Sequence, residues 1–283
     1  MNAIFIGNAI LLDYDVIEIE EINFSGLVKN TVNTWQANRS VNEKKADTEL
    51  GKFAEDAVIT ALKILGFNCY HSYDSFRNDD FRLHAPFDGL IIKELNDELV
   101  NMINNAVVNE GPKLSIKTRE EIRRHKGLTV EVKSTRLAQK YKNRASFNDY
   151  SNNEQLVRLI EELNSLDFLT YPHFTRYGDM TFEQYCWFVE TRLRSGKRGQ
   201  DLREFVKKIE LDNSSDFYIR VFVDEDNKKV IILGCIDRYS FFENPRTHKL
   251  ILPGKSEVPL YFVKSIKNGY PLSYLIEYLN NNY

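Results

Sequence analysis

Apolar and polar residues alternate from Leu128 to Lys133. Leu128, Val130 and Val132 fall on one side, and Thr129, Glu131 and Lys133 on the other. A period of two predicts a strand with one face in a core. The second face is unusual, because Glu and Lys are both depleted in strands and nothing in strand propensity asks for them side by side. A helical period governs an earlier stretch. Leu50, Phe53, Ala54, Ala57, Val58, Ala61, Leu62 and Leu65 recur at helical spacing, with Asp47 or Thr48 as N-cap and Gly66 as stop. On this helix Lys52, Asp56 and Lys63 are placed opposite the apolar stripe, and Glu55 on its margin beside Val58 and Leu62.

The remaining pattern fills in around these two elements. Residues 3–20 read as one or two strands, and residues 27–45 as a polar helix with no assigned chemistry. A short strand over 67–71 is followed by a polar loop over 74–82. A second strand over 85–92 is entered through Pro86 and carries Asp88 near its start. Helices over 94–107 and 115–125 separate it from the Glu131 strand. A basic loop (136–146), a helix (153–164) and an aromatic segment (171–177, read as core or subdomain packing) come next. Helices over 181–194 and 200–210 follow, the first with Trp187 on a buried face. Strands over 217–223 and 230–236 are joined by Asp224-Glu225-Asp226-Asn227 as a hairpin. Two shorter strands (248–252, 259–264) and a helix near 271–280 end the chain. With no repeat, low-complexity tract or linker, the expectation is one α/β domain over 1–283. Its core covers 47–136 plus 216–237, a central mixed sheet flanked by helices, with helical insertions at 94–126 and 151–210.

Charge changes this picture locally. The formal net charge is only −3, which excludes a globally basic nucleic-acid binder. Between Lys113 and Arg144, however, eleven Lys and Arg face three Glu, whereas the first 28 residues and residues 94–110 are acidic. Such segregation focuses a field on one surface. Cys69, Cys186 and Cys235 form no CxxC or CxxH pair, which argues for a reducing compartment and against a zinc site. His71, His84, His125, His173 and His248 form no ligand pair at helical spacing. There is no signal peptide or membrane-length apolar run, so a soluble cytoplasmic protein without membrane contact is expected.

An acidic residue on a helix margin, an aspartate near a strand start and Glu-Val-Lys on the next strand form an ordered set. It comprises Glu55 within Gly51-Lys52-Phe53-Ala54-Glu55, Asp88 within Pro86-Phe87-Asp88-Gly89, and Glu131-Val132-Lys133. The set resembles the PD-(D/E)xK nuclease superfamily, over residues 47–136. The chain departs from that pattern in two ways. Phe87 separates the proline from the aspartate, and the interval from Asp88 to Glu131 is long and holds helices. Asp88 or the Asp79/Asp80 pair supplies the aspartate; the strand position favours Asp88 over the loop pair.

The resemblance implies a restriction-endonuclease-like core and Mg²⁺-dependent hydrolysis of DNA phosphodiesters, with Mn²⁺ able to substitute. Asp88, Glu131 and the backbone carbonyl of Val132 would hold the metal, and Glu55 would join directly or through water. Lys133 would orient the attacking water. Hard oxygen ligands suit a partly hydrated Mg²⁺. The large insertions point to a sequence-specific type II restriction enzyme, acting on double-stranded DNA as a homodimer if the target is palindromic. The alternatives are a structure-selective resolvase or repair nuclease, and a DNA-binding protein on the same scaffold that does not cut. Arg136, Lys140, Lys142 and Arg144 are candidates to grip phosphates. Arg123 and Arg124 (with Arg119 in the same insertion) and the turn with Arg194, Lys197 and Arg198 are candidates for base or backbone contacts.

Overall fold

The computed structural model describes residues 3–18, 41–76, 85–111, 113–138, 141, 150–249 and 258–282. The chain opens with a hairpin of β1 (Ala3–Ile6) and β2 (Ala9–Asp13). Helix α1 (Val41–Ile64) leads to β3 (Cys69–His71), and β4 (Gly89–Ile91) pairs antiparallel with it. Helices α2 (Asp97–Glu110) and α3 (Ile116–Arg124) intervene before β5 (Leu128–Arg136). Asn96 and Ser115 cap them, each side chain accepting a backbone N–H of the first turn. Then come α4 (Asn153–Leu163), β6 (Asp167–Thr170), α5 (Phe182–Leu193) and α6 (Gly199–Asp212). Strands β7 (Phe217–Asp224), β8 (Lys229–Asp237), β9 (Arg246–Lys249) and β10 (Leu260–Ser265), and helix α7 (Tyr274–Asn282), complete the fold.

The architecture is α/β, with a mixed seven-stranded sheet of order β1-β2-β8-β7-β5-β4-β3. Among the described strands only β5 and β7 pair in parallel, with Glu131 beside Tyr218 and Lys133 beside Arg220. Every residue of β7 is buried, which is why it reads as a nearly continuous apolar run. A smaller sheet, β6-β10-β9, lies apart. On one face of the large sheet, Leu128, Val130, Ile219, Val221 and Ile232 pack with Ala54, Ala57, Val58 and Leu62 of α1. On the other, Tyr218, Phe222 and Leu233 pack under α4, α5, α6 and the small sheet. Each buried aliphatic or aromatic side chain contributes roughly 1.5–3 kcal/mol, so β5 and β7 are clamped from both sides.

Several expectations change. The hairpin of residues 3–13 extends the sheet beyond β8, because Ile10, Leu11 and Leu12 present apolar groups to both faces. Strand β6 lies inside the stretch expected to be a helical insertion; it forms because β10 offers an edge, a long-range pairing. Lys52 and Asp56 are buried rather than outward, since the flank of α1 packs beside His71 of β3. Trp187 is 48% exposed, whereas Tyr185, Cys186 and Val189 fill the core side of α5. Residues 74 and 75 of the expected polar loop belong instead to a helical turn over Ser72–Ser75. The aspartates at 79 and 80, His84, residues 27–40, Lys140, Lys142, Arg144 and residues 250–252 lie outside the described residues. Among the described residues no helix is long and apolar enough to cross a membrane.

Candidate functional site

Strand β4 is short. It starts at Gly89, so β5 outruns it after Val130. Asp88 closes the ladder in two ways. Its backbone N–H donates to the Val130 carbonyl at 2.9 Å, and its Oδ2 accepts the Val132 N–H at 2.6 Å. The carboxylate thus stands where the next strand carbonyl would be. The N–H and C=O of one strand residue point to the same side, so the Val132 carbonyl projects from this same edge, next to Asp88. Glu131 and Lys133, two apart, share the adjacent face, and Lys133 Nζ lies 2.5 Å from Glu131 Oε1. Both side chains are about a quarter exposed, at 23% and 24%.

Glu55 reaches the same place from α1. It is buried, bonded to the Lys52 ammonium one turn earlier, and 3.3 Å from His71 Nε2. His71 Nε2 also lies 3.5 Å from Asp56 Oδ1. The carboxylates of Glu55, Asp88 and Glu131 nevertheless feel one another's charge. Burial, then the charges of Glu131 and Glu55, hold the Asp88 carboxyl well above the usual carboxylate range, against the pull of Lys133 and Lys52. Burial likewise raises the Glu55 carboxyl, with Lys52 opposing. For Lys133 burial disfavours the charge, but Glu131 and Asp88 outweigh it and hold the ammonium above its ordinary value. Among the described residues no three carboxylate, imidazole or thiol groups are gathered into a ready ligand shell. Glu55 and Glu131 each face a lysine instead.

The structure therefore brings Glu55, Asp88, Glu131, Lys133 and the Val132 backbone into one neighbourhood. The basic candidates disperse. Arg136 ties α1 to the β7–β8 turn, through Ala46 O at 3.0 Å, Asp47 at 3.4 Å and Glu225 at 3.0 Å. Arg123 is spent inside the fold on Asp216 at 2.7 Å. Arg124 is exposed and paired with Glu121. Arg194, Lys197 and Arg198 are exposed on the turn between α5 and α6. Glu190 holds that turn by accepting from the Ser195 and Gly196 backbone N–H groups, and Arg198 lies 5.3 Å from the Trp187 ring centre.

Two groups of residues were missed. Lys52 and His71 flank Glu55, and the three-residue step from Lys52 to Glu55 was a usable signal. A cleft opening on Glu131 is also lined by Tyr171, His173, Arg176, Glu210 and Tyr218. Tyr171, in the segment read as packing, is stacked on Tyr261 with centroids 4.5 Å apart, and Lys133 Nζ lies 5.6 Å from its ring centre. No local pattern announces that convergence.

Glu210 forms the cleft's buried wall. It accepts the Tyr185 hydroxyl and the His173 backbone N–H, and burial raises its carboxyl from 4.5 to about 7. A carboxyl with a raised folded-state value favours the fold at low pH and loses that contribution as pH rises through the higher value. The span is worth about 3 kcal/mol, lost between pH 4.5 and about 7. Urea melts at pH 5 and pH 8 should show the loss in wild type, and Glu210→Gln should remove most of the difference.

No protein-family model, curated protein or solved structure matches this chain.

Proposed function

We propose that this protein is a Mg²⁺-dependent DNA endonuclease of the PD-(D/E)xK type, with a restriction-endonuclease-like core. The observation that carries the reading is the Asp88 carboxylate hydrogen-bonded to the Val132 N–H, between Glu131 and Lys133 and within the field of Glu55. The charges of Glu131 and Glu55 raise the proton affinity of the buried Asp88 carboxyl, and a divalent cation would relieve that crowding. Their donors are hard oxygens, which fits Mg²⁺. Asp88, Glu131 and the Val132 carbonyl would hold the ion, with Glu55 joining directly or through water. When bound, it polarises a phosphoryl oxygen and lowers the pKa of its water. Lys133 Nζ, released from Glu131, orients the attacking water and offsets charge developing on the phosphate. Glu131 and Glu55 are each paired with a lysine here, Lys133 and Lys52, so a bound cation would take these carboxylates over from the ammonium groups.

We read the substrate as double-stranded DNA cut at a specific sequence in the cytoplasm, by a homodimer where the site is palindromic. Incubating purified protein with plasmid and phage DNA, with Mg²⁺ or with chelator, tests this. Discrete Mg²⁺-dependent fragments support it. Cleavage confined to branched DNA shifts the reading to a structure-selective nuclease, and binding without cutting sinks the enzyme.

The raised Asp88 carboxyl sets a pH dependence. Asp88 must lose its proton to ligate, so Mg²⁺ affinity should fall as pH drops, and metal binding should release protons. Calorimetry in two buffers of different ionisation enthalpy measures that release. Asp88→Asn should abolish metal binding yet raise the metal-free melting temperature by roughly 2–4 °C. Its amide oxygen still accepts from Val132, while the crowded charge is gone. A lower melting temperature would show that the carboxylate is not under this electrostatic load.

A further inference from the structure

Arg119 is a sparsely bonded buried charge, with Asp216 the first anion to offset it. It is buried at 6% exposure, on α3. Its Nη1 donates to the Ser214 carbonyl at 3.2 Å, and its Nε has no hydrogen-bond partner among the described residues. Burying a guanidinium this way is costly unless something else satisfies it. Arg119 lines the cleft that opens on Glu131, together with Lys113 and Arg176. Lys113 donates to the His173 carbonyl, and Arg176 lies 5.2 Å from the Tyr171 ring centre. Neither interaction neutralises a charge.

We propose that Arg119, Arg176 and Lys113 form an anion subsite that takes a backbone phosphate next to the one cleaved. That the anion belongs to nucleic acid rests on the nuclease reading; that the cleft binds a phosphate group does not. Tyr171 joins the two places, because Lys133 and Arg176 both lie against its ring. A chain laid from Glu131 into the cleft therefore runs along an aromatic surface flanked by cations, a combination suited to a nucleotide backbone.

The electrostatics agree. The cations crowd one another: burial and then Arg176 push the Lys113 ammonium down, and burial, Lys113 and Arg119 push the His173 imidazole down to about 4. His173 is thus neutral at working pH. The acidic groups offset these cations only in part: Glu210, bonded to Tyr185 and His173, acts on Lys113, while Asp216 and the Lys133-bonded Glu131 act on Arg119. Arg123 and Arg124, on the same helix as Arg119, instead bind Asp216 and Glu121. Of the three arginines on α3, the one to meet a ligand is the one inside.

Inorganic phosphate titrated into chelator-treated protein, followed by calorimetry, is the direct test. Saturable one-site binding is expected, weakened at least about tenfold in Arg176→Gln and in Lys113→Gln, because a charge-assisted contact is worth about 1.5–3 kcal/mol. Arg119→Gln should abolish it; if that variant melts early, the two surface variants decide. A second measurement uses a duplex oligonucleotide without metal. Each of the two surface variants should reduce the slope of log K against log salt by about one. Non-saturable phosphate binding, or wild-type affinity in both surface variants, overturns the subsite. Phosphate binding that depends on these residues in a protein that never cuts DNA would keep the subsite and end the nuclease reading. Cutting with unchanged phosphate affinity in the variants would do the reverse.

Discussion

Lys133→Met and Glu131→Gln are each expected to lower single-turnover, Mg²⁺-dependent DNA cleavage by about a thousandfold, the scale set by removing one group aimed at developing charge. Lys133 carries a firmly held proton, because Glu131 and Asp88 outweigh the penalty of its burial. In the proposed reaction it would therefore serve as a fixed positive charge and hydrogen-bond donor, and not as a base. Met keeps the chain length and removes the charge. Glu131 sits beside it on β5 with its backbone anchored to β7, so Gln preserves the strand and removes one proposed anionic ligand. Neither side chain is needed for the core, and duplex binding measured in chelator should stay within a few-fold of wild type. The pair separates two roles. Added Mn²⁺ should partly rescue Glu131→Gln, whose defect is metal affinity, but not Lys133→Met. Near wild-type cleavage in either variant would remove that residue from the chemistry.

Asp216→Ala should cost about 3–5 kcal/mol of stability, the scale of removing one partner from a buried ionic network. Asp216 is 3% exposed, at the entrance to β7. Its Oδ2 accepts the Thr129 backbone N–H at 2.9 Å and the Thr129 hydroxyl at 2.8 Å, and its Oδ1 accepts Arg123 Nε at 2.7 Å. Its own N–H donates to the Thr129 carbonyl at 2.9 Å, and Arg238 stands 3.7 Å away. One carboxylate thereby sets the register in which β5 enters beside β7, two residues before Glu131. Removing it strands a guanidinium and a backbone N–H. Chemical denaturation gives the stability loss directly. Arg123→Met alone should cost less than Asp216→Ala, because a carboxylate left with Thr129 still keeps two bonds. Equal costs would mean that the arginine, not the strand contact, holds the corner.

Much of the fold is visible in local pattern. The alternation around Glu131 placed its apolar side in a core and its charged side on the other face, as the burial of Leu128 and Val130 and the cleft position of Glu131 bear out; that α1 covers the apolar side is the structure's addition. The stripe of α1 and the strands over 217–236 are likewise where their periodicity put them. Strand β6 was not visible, because Asp167-Phe168-Leu169-Thr170 becomes a strand only when β10 supplies its partner. For the candidate site, the places of Glu55, Glu131 and Lys133 on periodic elements and of Asp88 just before β4 were legible. The burial of Lys52 and His71 was not, because the packing of α1 on β3 creates it.

By itself the sequence determined which residues share a face and in what order acidic and basic groups arrive along the chain. Those properties follow from backbone periodicity, which is local. Only the tertiary structure decided which arginine faces the cleft, which is consumed by Asp216, and that a short β4 leaves Asp88 to complete the edge of β5. Those outcomes depend on partners far apart in sequence, such as Thr129 and Asp216 at a separation of 87. A side chain's role is set by the charge it meets, and chain order does not specify that meeting until the sheet has closed around it.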